Sequence, residues 1–551
     1  MDIKFQKHLP WVALVTLLIN AAAMLSPIID SGDAVTYASI AQHIVLSHEW
    51  ASLVLDGHAW LDKPHLPFWI TAVFFKWGGV SAFTYVLPGF LFHLIGAYYT
   101  YRLARMFYGK QTAALAVLIY VSVFNLMDAS IEVKAETYLI GEIMPACYYW
   151  LRYDARFRVK YLLLGSLFTA MAIMTKGIFT LITISSGLVC LWAYQRQLSK
   201  LVSIKWLSAL TLSLLFIAPE LVALHLQFNQ HGENAASGLP VSTFRFFFWD
   251  SQFGRFFNTG PIQNHNGHPL YFVMVFLWAF LPWTMVFFAA IAAHLKAFGN
   301  AIESERAAFV FLTGAFSCTF LMFSATSFQF DYYTDIIFPF AAILCARYLN
   351  NSNVGRSLFL AQIGLLFLLV LIAIALSIYV MEPALLTVIT AFLAALSYYF
   401  YKTTSATRNF RTAIYSALTI SVLYIFLTLL TALTFMQYSV PYNAAKLFGR
   451  QQAIPIYVYQ MPEVARELAL YSEAPCHEVD DAQSLVRVEG KYYLVVRHDQ
   501  MQQLHLESLR LGNIANMDLV VHKTGTFNKL LQLARGSWPL ERMDFLESSP
   551  Q

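Results

Sequence analysis

The chain returns repeatedly to uncharged apolar runs about as long as a bilayer is thick. The clearest, over 357–380, contains IGLLFLLVLIAIALSIYV. A helix rises about 1.5 Å per residue, so on the order of 20 such residues cross the hydrocarbon layer. No water satisfies backbone N–H and C=O groups there, so each run is expected to be helical. Candidate spans are 9–29, 83–107, 112–127, 135–152, 159–175, 177–195, 203–226, 269–295, 307–325, 333–349, 357–380, 383–401 and 411–436. That makes roughly thirteen helices by length, with 112–127 and 333–349 short enough to be re-entrant instead. The first run lacks a small-residue cleavage pattern before Asp30 and reads as a retained helix that serves as signal anchor. Composition agrees. With 58% hydrophobic residues, 12% charged and a mean hydropathy of +0.55, the chain is not a soluble globular protein. Five cysteines, Cys147, Cys190, Cys318, Cys345 and Cys476, are scattered without CxxC or metal-like spacing, which excludes a disulfide framework.

The net charge of +4 says little, because the position of basic residues matters more than their sum. With the N-terminus inside, one set of loops carries Lys4 and Lys7; Arg102, Arg105 and Lys110; Arg152, Arg156, Arg158 and Lys160; Arg196, Lys200 and Lys205; Lys296 and Arg306; Arg347 and Arg356; and Lys402, Arg408 and Arg411. The opposite set holds the long loops 30–82 and 227–268 and the tail from about 440, and therefore faces outward. The expected division is a membrane domain over 1–437 and an outer α/β domain over 438–551. The tail supplies β-like runs (IPIYVY, KYYLVVR, MDLVVHKTG) and a helical one (MPEVARELALYS).

The first outer loop stays at membrane level. From Asp33, the positions Tyr37, Ile40, Ala41, Ile44 and Val45 form one apolar helical face, which suits a helix lying in the interface. Pro64 and Pro67 forbid a regular helix across DKPHLP and hold Lys63 extended. FWITAVFFKWGG then reads as a second interfacial stretch.

Outer basic residues near the membrane are few: Lys63, Lys76, Lys134, Lys176, Arg245 and Arg255. Such residues are costly unless paired. Converging on a cavity they would suit a phosphate-bearing ligand; alternatively they snorkel, or pair with Asp62, Glu132, Glu136 and Asp250. Asp33 stands where a carboxylate would cap the interfacial helix. Lys176 either marks a tight turn with Gly177 or points into a cavity. His265 and His268 are either metal ligands or loop residues. The chain has no Walker-A loop, GxGxxG after a strand, HExxH or GxSxG. A sugar donor used on the outer side, where nucleotides are absent, would have to be lipid-linked.

These segments together resemble the GT-C glycosyltransferases that use polyprenyl-phosphate sugars, of the 4-amino-4-deoxy-L-arabinose transferase type that modifies lipid A, with protein O-mannosyltransferases as more distant relatives. DAVTYASIAQHI is similar to a DETRYAEI segment, LDKPHLPFW to EKPPLxYW, and MTKG to LTKGP. FFWDSQFGRF with GHPLYFVMVFLWAFLPW is similar to FxxEHxxRF with HPxPxYYxxxxxxGxxPW. The resemblance runs to about residue 350 and implies a GT-C fold of about thirteen transmembrane helices with a small periplasmic α/β domain. It implies a catalytic role for Asp33, with Lys63 near the donor phosphate. Tyr37, Lys134, Glu136, Lys176, Arg255 and Tyr333 would bind substrate. Asp62 with His268 is the implied place for a divalent metal, although no cofactor is required.

The chain departs from the pattern at Ala34, which replaces a second acid, at EVKAE over 132–136, and at Gln329 and Tyr332, which replace a lysine and a histidine. The expected partners are a polyprenyl-phosphate-linked sugar, lipid A or another outer-leaflet acceptor, and membrane lipids, but no nucleic acid. The expected location is the bacterial inner membrane with the active site facing the periplasm. A protein O-glycosyltransferase is the alternative. A lipid-linked sugar flippase would call for inverted repeats and mid-span charges, and the charges here gather at the outer helix ends.

Overall fold

The computed structural model describes residues 8–26, 29, 32–131, 133–231, 245–257, 259, 267–380, 392, 395, 398–400, 403, 406–448, 454–472, 474–488, 490–503, 511–520 and 540–548. Most of the expected span 383–401, half of the loop 227–268, Asp30, Glu132 and His265 lie outside them, as does the side chain of Arg255.

Among the described residues before 450, the apolar runs form helices. The chain forms α1 (His8–Ala23), α2 (Gly32–Ser47), α3 (Leu66–Gly78), α4 (Ala82–Tyr108), α5 (Lys110–Val121), α6 (Phe124–Ala129), α7 (Ala135–Ala155), α8 (Val159–Lys176), α9 (Thr180–Tyr194), α10 (Ile204–Phe216) and α11 (Ala218–His231). Beyond the second large loop come α12 (Tyr271–Ala279), α13 (Thr284–Ala297), α14 (Glu303–Ala325), α15 (Phe338–Asn351), α16 (Arg356–Val380), α17 (Arg408–Tyr438) and α18 (Val440–Phe448). Among the described residues six helical stretches are long and apolar enough to span: Ala82–Tyr108, Val159–Lys176, Ile204–Phe228, Glu303–Ala325, Arg356–Leu376 and Arg408–Tyr438. A seventh arises if α12 and α13, bent by 108° between them, count as one crossing. The expected span 269–295 is thus broken. The sequence 333–349 divides into a 3-10 turn (Asp331–Ile337) and the almost wholly buried α15. Helix α7 is likewise buried on nearly every face. It forms the centre of the bundle, against α4 and α8.

The first outer loop folds as its apolar pattern requires. Tyr37, Ile40, Ala41 and Ile44 are buried on α2, and Pro67 stands in the first turn of α3, where its missing N–H costs nothing. One detail differs from expectation. The helix starts at Gly32, so Asp33 lies inside its first turn rather than before it, and its carboxylate is held by a distant side chain instead of capping the helix.

The tail builds an α/β unit. Strands β3 (Ile456–Tyr459), β4 (Cys476–Val479), β5 (Tyr493–Arg497), β6 (Leu511–Val520) and β7 (Leu540–Ser548) follow the two-residue β1 (Val54–Leu55) and β2 (His58–Ala59) of the first loop. They form one sheet in the order β4-β3-β5-β7-β6. β3 runs parallel to β4 and β5, with Ile456 opposite Cys476 and Tyr493, and β7 runs antiparallel to β5 and β6. Helix α19 (Pro462–Tyr471) joins β3 to β4 and is the element that meets α2. Tyr471 accepts the Ile29 N–H at 2.7 Å, Gln42 donates to Ala469 O at 2.9 Å, and Arg466 pairs with Asp56.

Candidate functional site

The site begins with α2. Its first turn carries Asp33, and one turn later Tyr37 is 3% exposed with no hydrogen-bond partner for its hydroxyl. Burial raises the Tyr37 phenol well above its ordinary pKa, and the charges of Asp33, Asp62 and Glu136 raise it further. Tyr37 is therefore a neutral donor with carboxylates around it.

Asp62 and Lys63 pair with each other, with Lys63 8% exposed. Their segment is held in place by a contact that the sequence did not disclose. Glu220, on α11, accepts the backbone N–H of His65 at 2.9 Å, and its other oxygen lies 3.0 Å from His65 Nδ1. His65 Nε2 faces Ala51 O at 3.1 Å, and both side chains are wholly buried. His65 stands where the resemblance has proline, which could not offer the N–H that Glu220 takes. A carboxylate inside the apolar run 203–226 was the available signal.

The opposite wall comes from the start of α7, the end of α8 and the turn before α15. Lys176 ends α8 and pairs with Glu136, the second residue of α7, while its ammonium sits 3.6 Å from the Tyr333 ring centroid. Gly177 follows with φ +109° in the left-handed region, and a Cβ there would fall 2.1 Å from the Gln252 amide. The tight turn and the inward-pointing ammonium are thus one feature. Lys134 lies 4.3 Å from the Tyr332 ring centroid, and Tyr332 donates its hydroxyl to Asp33 Oδ2 at 3.0 Å. Burial and then the Asp33 charge raise the Tyr332 pKa, which keeps it a proton donor. Tyr332 replaces the histidine of the resembling pattern, and this contact is what the departure does. Gln329, in place of lysine, exchanges hydrogen bonds with the His268 backbone at 3.0 and 3.2 Å.

The fold therefore gathers Asp33, Tyr37, Asp62, Lys63, Lys134, Glu136, Lys176 and Tyr333, to which it adds Tyr332 and Asp335. The buried Asp335 accepts from Asn125 at 2.6 Å through one oxygen, and its second oxygen is unpartnered, as is Oε2 of Glu136. Lys76 stands exposed at the end of α3, and Arg245, also exposed, faces Asp250 at 3.4 Å. Those two follow the surface reading. The metal reading does not fit. Asp62 is engaged by Lys63, His268 is exposed with Nδ1 accepting the Leu270 N–H at 3.1 Å, and no group of three His, Cys, Asp or Glu among the described residues could hold an ion.

From the Lys176–Tyr333 end a partly open cleft runs between α9 and α14. Its walls are mostly apolar, including Phe179, Met322, Phe323, Phe328 and Ile336, with Thr180, Thr183 and Gln252 among them. The arrangement can hold an anion on ammonium groups, an extended apolar chain beside it, and a carboxylate across from both.

Residues 62–222 match the family model described as dolichyl-phosphate-mannose-protein mannosyltransferase. An uncharacterized Aquifex aeolicus protein is 27% identical over 349 residues, 62% of this chain and 64% of that one. The undecaprenyl phosphate-α-4-amino-4-deoxy-L-arabinose arabinosyl transferase 2 of Proteus mirabilis is 24% identical over 345 residues, 61% of this chain and 58% of that protein. The aligned region thus spans roughly three fifths of these relatives' length. The fold likeness is longer. ArnT of Cupriavidus metallidurans superposes with a TM-score of 0.68 bound to undecaprenyl phosphate, covering 98% of this chain and 99% of that one at 16% identity, and with 0.70 in the apo state. Over residues 62–222 the chain is thus similar to the lipid-phosphate-sugar glycosyltransferases, and over nearly its whole length its fold is of the ArnT type.

Proposed function

We propose that the protein transfers a sugar, with inversion, from undecaprenyl phosphate to lipid A or another acceptor at the outer leaflet of the bacterial inner membrane, from a site on the periplasmic side. The observation that carries this reading is the meeting of Asp33 with Lys63, Lys134 and Lys176 around the phenols of Tyr37, Tyr332 and Tyr333.

In the reaction the bond between the sugar C1 and the phosphate oxygen breaks, the acceptor oxygen bonds to C1 from the opposite face, and polyprenyl phosphate leaves. The phosphate gains a negative charge as that bond breaks, so preplaced cations favour the transition state over the bound substrate. Lys63 has this role, with Lys176 as a further phosphate contact. The polyprenyl chain occupies the apolar cleft that starts at Lys176. Asp33, fixed by Tyr332, takes the proton of a hydroxyl acceptor; with an ionised lipid A phosphate as acceptor, it serves to position it. An amino sugar suits the unpartnered oxygens of Glu136 and Asp335, which an ammonium would satisfy.

The match to the protein mannosyltransferase family model favours a protein acceptor as the second reading. Mass spectrometry of lipid A from cells with and without the gene separates the two. A sugar mass lost with the gene supports the first, and unchanged lipid A beside deglycosylated protein supports the second. In membranes, Asp33→Asn and Lys63→Ala are expected to abolish transfer while inserting normally; full transfer by both would end the assignment.

A further inference from the structure

A second constellation lies at the far ends of α4, α7 and α8, about 24 Å along α7 from Glu136 by helix rise. Arg102 donates Nη1 to Tyr98 OH at 2.6 Å and Nη2 to Tyr148 OH at 2.5 Å, its guanidinium 4.8 Å from the Tyr148 ring centroid. Arg152 donates Nη2 to Tyr161 OH at 2.7 Å and lies 5.2 Å from that ring's centroid, and Lys160 Nζ lies 5.8 Å from the same centroid. Tyr148, which Arg102 contacts, stands about one turn before Arg152 on α7. Among the described residues none of these three cations has an acidic partner within ion-pair distance. Asp154, two residues from Arg152, is taken by Lys200 at 2.8 Å and Trp192 at 3.2 Å.

Cations gathered at the ends of membrane helices call for a counter-charge, and phenols donate geometry but no charge. Each guanidinium spends only part of its five N–H donors on phenols, leaving a fork suited to a phosphate. We propose that these residues form a binding site for the phosphodiester headgroup of an anionic phospholipid, in the leaflet opposite the one that meets Asp33. The bilayer is the source of the phosphate because Arg102 lies on a spanning helix. Tyr98, 51% exposed, sits on α4 inward of Arg102 and well before the helix end at Tyr108. Basic and aromatic residues at such a level meet lipid headgroups. A headgroup held there ties α4, α7 and α8 together, and α7 and α8 carry Glu136 and Lys176 at their other ends.

The full chain is purified and placed in vesicles of phosphatidylcholine alone or mixed with phosphatidylglycerol, and its thermal unfolding is compared. Native mass spectrometry on protein taken from cell membranes counts the retained lipid. The wild-type protein is expected to unfold at higher temperature with phosphatidylglycerol and to keep anionic phospholipid through purification. The double variant Arg102→Gln, Arg152→Gln keeps donors to the phenols and is expected to lose both effects while unfolding in phosphatidylcholine like the wild-type protein. Arg102→Lys, Arg152→Lys keeps the charge and is expected to retain part of the shift. Equal unfolding of the wild-type protein in both vesicles overturns the proposal, as does a Gln double variant that still keeps the lipid. Stabilisation of detergent-solubilised protein by inorganic phosphate to the same extent makes this a free-anion site and also overturns it. None of these readouts depends on sugar transfer, so the outcome is separate from that of the proposed activity.

Discussion

Tyr332 shows how one residue turns a departure from a family pattern into local chemistry. Its hydroxyl reaches Asp33 from 299 positions away in sequence, and a hydrogen bond to a charged group contributes about 1.5–3 kcal/mol. Tyr332→Phe removes only the oxygen. It is expected to lower kcat for transfer by roughly tenfold to a hundredfold, if the bond is kept in the transition state, with donor KM little changed. Steady-state kinetics in membranes checks this, and an unaltered kcat would show that Asp33 needs no such partner. Asp33 itself was legible in the sequence as an acid at the head of an amphipathic helix. That its carboxylate is held by a tyrosine was not, because nothing in either segment encodes their meeting.

At the scale of elements, His65 and Glu220 join the first outer loop to α11 inside the protein. Removing one member of such a buried pair costs about 3–5 kcal/mol, because the other is left without its partner. Glu220→Ala is therefore expected to lower the unfolding temperature of the detergent-solubilised protein markedly, and Glu220→Gln less. Thermal melts of the three proteins measure it, and a Glu220→Ala protein as stable as the wild-type protein would refute it. The prolines at 64 and 67 already said that this segment is not regular helix. They could not say which helix anchors it. Helix α7 makes the same point: its apolar sequence reads like any other span, yet it is the helix that the others surround.

For the whole molecule, the distinctive contact is that between the tail unit and the helix that carries Asp33. Tyr471 closes it through its hydroxyl on the Ile29 backbone, and Arg466 does so through Asp56. Tyr471→Phe with Arg466→Ala is expected to loosen the tail unit from α2. Limited proteolysis would then cut between α17 and β3 several times faster than in the wild-type protein, and transfer would fall as Asp33 loses its fixed frame; unchanged cleavage would show that the unit is held elsewhere.

The sequence by itself determined that the chain holds several spans long and apolar enough to cross a membrane, that the segment 30–82 contains no such span, and that α/β structure follows residue 440. Those properties depend on local composition and period, which neighbouring residues carry in full. It also proposed Asp33, Lys63, Lys134, Glu136 and Lys176 for one site, through charges that a membrane helix end does not need. Only the tertiary structure decided that Lys76 and Arg245 lie apart, that Asp62 is engaged by Lys63, and that Tyr332, Asp335 and Glu220 belong with the site. Burial, charge pairing and hydrogen bonding act between residues hundreds of positions apart, and their partners are fixed only when the helices pack.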